Sequence, residues 1–251
     1  MDGVEDSETL RQCSLASSVL RAYAQCALFK EVSIYLASDG STNLDELLEC
    51  YTTRSFAQHA RCLSIRIYRA APGTSDFLRR RPDLLKVITL LSTCQQDIDP
   101  GTTRVLTPPS QISSLYIGGM QESALDFARI LRAFPRMTRL TLESGTGILG
   151  NSAQDELNLF LASAPPPPRI QDLLFCAAAL PGLDKLIFPQ EVDVYLRSVR
   201  IDCCRGMPAW GTLIRRAGAY LETIYVEQPV VYAGNGEFAP TFLCTLTLVA
   251  I

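Results

Sequence analysis

The sequence predicts an α/β fold in which parallel strands stack into a concave arc, helices shield the convex back, and a helical cap seals the N-terminal end. Three observations carry that prediction. A short apolar pattern, φ-x-x-φ-x-φ, returns along the chain, as in "MTRLTL" at 137–142. Stretches with helical spacing separate its copies. One face of the copies stays polar, as with Ser113, Ser114 and Tyr116 in one and Thr138, Arg139 and Thr141 in the next. A parallel strand covered on both faces reads instead as a continuous apolar run.

Taken in order, the first element is "TLRQCSLASSVLRAYAQCALFKEVSIYL" (9–36), read as a helix pair leading into the first strand. The expected division is a cap over 1–30 and a solenoid over 31–251. Ten hexamers fit the pattern: "FKEVSI" from Phe29, "CLSIRI" from Cys62, "LKVITL" from Leu85, "ISSLYI" from Ile112 and "MTRLTL" from Met137. "IQDLLF" from Ile170, "LDKLIF" from Leu183, "LRSVRI" from Leu196, "LETIYV" from Leu221 and "LCTLTL" from Leu243 complete the set. "LDKLIF" breaks the spacing and is either an extra tight turn or a false hit.

Helices are expected over 43–60, 123–134, 155–164 and 211–221, where apolar residues recur every three to four positions. Phe134-Pro135, the tetraproline 165–168 and Gly218 stop three of them, since proline cannot continue a helix and biases the preceding residue to extended backbone. Most steps between hexamers fall within or near the roughly 20–29 residues of leucine-rich repeats. Strand–helix–strand in one direction gives parallel strands with right-handed crossovers. Two architectures satisfy this, a doubly wound sheet and a solenoid. The polar face favours a leucine-rich-repeat-like solenoid.

In such a stack the residue between the last two apolar positions of each hexamer points to the concave side. That reading selects Ser33, Arg66, Thr89, Tyr116, Thr141, Leu174, Ile187, Arg200, Tyr225 and Thr247. The candidate anchors for a protein partner on this face are Arg66, Tyr116, Arg139, Thr141, Arg200 and Tyr225, because tyrosine and arginine are enriched at interface hot spots.

The N-terminal stretch resembles the back half of an F-box in F-box/leucine-rich-repeat-like proteins of filamentous and mushroom-forming, basidiomycete-type fungi. The matching residues are Leu10, Cys13, Ser14, Leu15, Leu28 and Phe29, and "FLRRRPDLLKVITLL", "ISSLYIGGM" and "ILRAFPRMTRLTL" fit the same family. The resemblance covers nearly the whole chain. It implies a substrate-recognition subunit of a Skp–cullin–F-box ubiquitin ligase. A Skp-type adaptor would be gripped through Leu10, Cys13, Leu15, Leu28 and Phe29, and a protein target would lie on the repeats. The opening Leu-Pro helix of an F-box has no counterpart here, so the F-box reads as truncated. The Asn or Cys ladder of such repeats is met only at "LRSVRIDCC", by Cys204.

Bulk properties exclude several classes. The chain has 251 residues, 47% of them hydrophobic, enough for a sizeable core. A net charge of −3 argues against a non-specific nucleic-acid or membrane binder. No apolar run reaches the roughly 18 residues of a membrane span. The nine Cys are scattered without a C-x-x-C and His59 is the one His, so no zinc site is expected. Free thiols in apolar positions suit a reducing compartment, cytoplasmic or nuclear.

No phosphate-binding glycine loop or nucleophile elbow is present. His59 reads as a structural residue in mid-helix, and "RRRP" (79–82) as charge compensation at a helix C-terminus. The sequence therefore predicts a non-enzymatic interaction protein without cofactor or metal. Its rival is a doubly wound α/β enzyme or nucleotide binder.

Overall fold

The computed structural model of the chain describes residues 7–37, 41–53, 57, 59–67, 82–93, 111–119, 121–143, 147–149, 154–176, 186–189, 193–202, 207–218, 220–227 and 243–247. The helices are α1 (Ser7–Ala16), α2 (Ser18–Leu28), α3 (Leu44–Thr53), α4 (Pro82–Thr93), α5 (Ala124–Ala133), α6 (Gln154–Ser163) and α7 (Met207–Ala217). The strands are β1 (Glu31–Leu36), β2 (Cys62–Ile67), β3 (Ser114–Gly118), β4 (Gln121–Ser123), β5 (Arg139–Leu142) and β6 (Gly147–Leu149). They continue with β7 (Asp172–Cys176), β8 (Ser198–Asp202), β9 (Thr223–Glu227) and β10 (Leu243–Thr247).

Eight strands form one open sheet in the order β1-β2-β3-β5-β7-β8-β9-β10, and β4 pairs with β6 in a separate ribbon. The first seven run parallel, and their order in space is their order in the chain. Among the described strands the order shows no reversal of the kind at which doubly wound sheets bind ligands.

Register explains why the hexamer recurs. Its middle apolar position builds the ladder Val32–Leu63–Leu115–Leu140–Leu173–Val199–Ile224, every member buried. Its last apolar position builds Ile34–Ile65–Ile117–Leu142–Phe175–Ile201, also buried. The first position supplies Ile112, Met137, Ile170, Leu196 and Leu221, buried just ahead of their strands. Burying a side chain of this size is worth about 1.5–3 kcal/mol over leaving it exposed.

A second regularity sits at the strand starts. The carbonyl of Lys30 accepts the N–H groups of both Arg61 (2.8 Å) and Cys62 (3.0 Å). Arg61, Ser113, Thr138, Gln171 and Arg197 repeat this toward the next strand, the last carbonyl accepting from Glu222 and Thr223. One acceptor holds two successive donors at each corner, so the seven parallel strands begin at the same height.

The buried ladders join one hydrophobic cluster with Leu44 and Tyr51 of α3, Leu84, Val87, Ile88 and Leu91 of α4, Phe127, Ile130 and Leu131 of α5, Leu157 of α6 and Leu213 of α7. α3 packs on α4, α4 on α5 and α5 on α6, again in chain order. In α5 the stripe is completed by Phe134, wholly buried where Pro135 ends the helix. Arg132 is buried in the same helix and donates from Nη1 to the Pro165 carbonyl at 2.9 Å, while its Nε has no partner. Burial pushes its guanidinium below the usual arginine range.

Two expectations are corrected. "LKVITL" is not a strand but the body of α4. Leu84, Val87, Ile88 and Leu91 are its buried residues, a spacing of i, i+3, i+4, i+7 that only a helix collects on one face. Pro82 at its first turn suits a helix start, where the missing N–H costs nothing. The arginines at 79–81, and with them the expected charge compensation at a helix C-terminus, lie outside the described residues. "LCTLTL" forms β10, but antiparallel to β9. Of "LDKLIF", residues 183–185 lie outside the described residues, and Leu186, Ile187 and Phe188 are buried without joining the sheet.

The β1 edge is not left bare. The Asn43 amide donates to the Ser33 carbonyl at 2.7 Å and its Oδ1 accepts from the Tyr35 N–H at 3.1 Å, as a neighbouring strand would. An antiparallel bridge from Thr42 to Leu36 extends this cover. Unpaired edges invite pairing with other chains, and this one is occupied by its own segment.

Candidate functional site: the open face of the sheet

Side chains alternate across a strand, so the residues between the buried ladders face away from the helices. The central row is Ser33–Ser64–Tyr116–Thr141–Leu174–Arg200–Tyr225. Ser33 and Arg200 are exposed, while Tyr116, Thr141, Leu174 and Tyr225 are half-buried. From Tyr116 to Tyr225 the row crosses four strand spacings, about 19 Å at roughly 4.8 Å each. Ser64 is the exception: it is buried, and its hydroxyl has no partner.

Arg139 belongs to the row beside it, with Ser114 and Asp172 as register partners, and makes an exposed ion pair to Asp172 at 3.4 Å. At the same end of the sheet Arg197 holds Glu222 through two parallel bonds, Nε to Oε1 at 3.0 Å and Nη2 to Oε2 at 2.9 Å. Each of these cross-strand pairs balances its own charge locally.

Arg66 requires a correction of register. The expected hexamer "CLSIRI" places it beside Tyr116, but the true first anchor is Ala60, which is buried, and the frame is "ARCLSI". Ser64 therefore pairs with Tyr116 and Arg66 with Gly118. Arg66 stays on the open face, exposed, and reaches diagonally over the Tyr116 ring. The Tyr116 hydroxyl donates to the Glu143 carboxylate. Gly118 lies beneath this group: a Cβ there would meet Glu143 Oε2 at 2.7 Å and Tyr116 Cε1 at 3.2 Å. Of the remaining expected face residues, Thr89 is on the outside of α4, Ile187 is buried and Thr247 is in β10.

Among the N-terminal candidates Leu10 is buried, Cys13, Leu28 and Phe29 are half-buried and Leu15 is 76% exposed. Phe29 meets the Tyr51 ring edge-on at 6.5 Å. Burial, and secondarily Cys50, pushes the Tyr51 phenol well above its usual range. Val19 and Tyr23, one helical turn apart on α2, are exposed as well. The α1–α2 bend is tied by Arg21, whose Nε donates to the Ser14 carbonyl at 3.1 Å.

A groove of about 630 Å³ opens beside the starts of β5, β7 and β8, lined among others by Arg136, Pro166, Arg169, Asp193 and Tyr195. Arg169 stacks on Tyr195 at 4.9 Å, and Tyr195 leans on Tyr220 at 5.1 Å. Among the described residues no group of three or more His, Cys, Asp or Glu is placed to hold a metal ion, and no helix is long and apolar enough to cross a membrane.

His59 departs from expectation. α3 ends at Thr53, and His59 lies beyond it in a short helical turn before β2, with its Nδ1 3.2 Å from Cys26 Sγ on α2. No local motif announces that pair; only the fold brings it together. Comparison with protein-family models, with curated proteins and with solved structures finds no match.

Proposed function

We propose that this chain is a non-enzymatic interaction scaffold, a leucine-rich-repeat-like solenoid whose open sheet face receives a protein target. What carries the reading is the sheet itself: seven parallel strands in chain order, one face buried against helices, the other presenting Tyr116, Thr141, Leu174, Arg200 and Tyr225. Stacked repeats that each contact only their neighbours give this order, and such proteins use the exposed strand face for partners. A row about 19 Å long matches an extended segment of five or six residues at roughly 3.3 Å per residue. Two tyrosines and an arginine along it are the side-chain types that dominate binding energy.

The resemblance at residues 10–29 extends the proposal to an F-box-derived substrate-recognition subunit of a Skp–cullin–F-box ligase, working in cytoplasm or nucleus. The exposed Leu15, with Val19 and Tyr23, supports it by offering an apolar strip on the N-terminal helices. The test uses purified full chain and purified Skp-type adaptor in titration calorimetry. Binding is expected, with loss in L15E/V19E, whose exposed sites leave folding intact. A well-folded chain that binds no adaptor removes the ligase role. For the scaffold, small-angle scattering is expected to give an elongated, curved particle. A compact particle stabilised by a nucleotide favours the doubly wound rival.

A further inference from the structure

The groove at the starts of β5, β7 and β8 is a second surface, independent of the row on the open face and of the F-box reading. We propose that it binds an acidic, extended peptide segment of a protein partner, with Arg136 and Arg169 taking the carboxylates of that segment.

The repeat brings the two arginines together. Arg136, Arg169, Tyr195 and Tyr220 each stand immediately before the first apolar position of a repeat, ahead of Met137, Ile170, Leu196 and Leu221. They lie three residues before Arg139, Asp172, Ser198 and Thr223, which are register partners across β5, β7, β8 and β9. The strand-start corners hold them in one row, about 4.8 Å from one repeat to the next. Carboxylates at adjacent or alternate positions of an extended chain, roughly 3.3 or 6.6 Å apart along it, bracket that spacing.

Charge selects the occupant. The other arginines at this end of the sheet are committed, Arg139 to Asp172, Arg197 to Glu222 and Arg132 to the Pro165 carbonyl. Arg136 and Arg169 are exposed and, among the described residues, pair with no carboxylate. Asp193 is the one acid on the lining, so two arginines against it leave the groove positive.

Arg169 stacks on Tyr195 at 4.9 Å, which fixes the guanidinium plane. Its N–H groups make no hydrogen bond among the described residues, and their fork suits a carboxylate. Tyr195 stands in the row between Arg169 and Tyr220, whose ring is 5.1 Å away, so both of its sides along the row are taken. A single-stranded nucleic acid needs free aromatic faces for its bases, and this row keeps its stacking for itself. Pro135, Pro165, Pro166 and Pro167 wall the groove with rigid backbone, which lowers the ordering cost of binding.

The experiment titrates the full chain into fluorescein-labelled hexaglutamate at low ionic strength, where exposed charges are least screened, and reads fluorescence anisotropy. Wild type is expected to bind hexaglutamate about tenfold more tightly than hexaglutamine or hexauridylate. R136Q/R169Q is expected to lose about tenfold in affinity. R11Q/R215Q removes the same charge from two exposed helix arginines elsewhere and is expected to lose less than about twofold. D193N is expected to tighten binding about twofold, a gain that a misfolded chain does not show. Equal binding of hexaglutamate and hexaglutamine overturns the inference, as do equal losses in the two double variants or a D193N chain that binds no more tightly than wild type. Tighter binding of hexauridylate than of hexaglutamate overturns it in favour of a nucleic acid.

Discussion

Arg66 holds its guanidinium 5.0 Å from the centroid of the Tyr116 ring, although its register partner on β3 is Gly118. The diagonal reach is possible because glycine leaves the place beside Tyr116 empty of side chain, and Glu143 fills it to accept the Tyr116 hydroxyl. Four residues from two strands and the end of a third thus fix one corner of the open face.

That arrangement sets a first expectation. Gly118→Ala drives a methyl group into Glu143 Oε2, the movable end of an exposed side chain, so the carboxylate yields and the Tyr116 bond is lost. The cost is about 1 kcal/mol, the worth of one hydrogen bond. Tyr116→Phe removes the same bond while keeping the ring. Urea denaturation is expected to show the double variant costing less than the two singles together, since both break one interaction.

Helix α4 yields a second. Leu84 and Leu91 are two helical turns apart and both buried; on a strand an odd separation would put them on opposite faces. Leu84→Ala and Leu91→Ala are each expected to destabilise by about 2–5 kcal/mol, and Lys86→Ala, exposed between them, by under about 0.5 kcal/mol. Thermal or urea unfolding reads the difference.

His59 yields a third. Its folded-state range is lowered by burial and by Arg61, so on acidification the unfolded chain takes up this proton first. Stability from this group is fully present above about pH 6.5, its unfolded value, and falls as pH drops through and below that point. His59 is the chain's one histidine. The wild type is therefore expected to lose more stability between pH 7 and pH 5 than H59Q, the difference read from paired urea curves.

The exposed pair Arg139–Asp172 yields a fourth. With both partners solvated, a double-mutant cycle is expected to return about 0.2–1 kcal/mol, shrinking further in high salt.

Eight of the ten hexamers fall in sheet strands, and in the parallel strands apart from β2 their middle and last apolar positions supply the stacked ladders, a constraint that local sequence writes directly. "LKVITL" misleads for a physical reason: apolar residues three apart also suit a helix, and the surrounding Leu84 and Leu91 decide for the helical period. The Arg66 register slips by one pair of residues because Ala60 is too small an anchor to stand out beside Cys62. β10's direction was not legible, since alternation along a strand is the same read either way. The Asn43 cover of β1 and the Cys26–His59 contact join distant segments, the latter 33 residues apart, and no local pattern encodes them.

The account rests on one sheet face being shielded and the other wet. Single cysteine substitutions at Ser33 and Arg200, and at their strand neighbours Val32 and Val199, test it through site-resolved thiol labelling of the folded chain. Positions 33 and 200 are expected to label near the rate of an unstructured peptide, and 32 and 199 orders of magnitude more slowly, limited by unfolding. Equal protection at all four positions would mean that a second layer covers the face and would contradict the account.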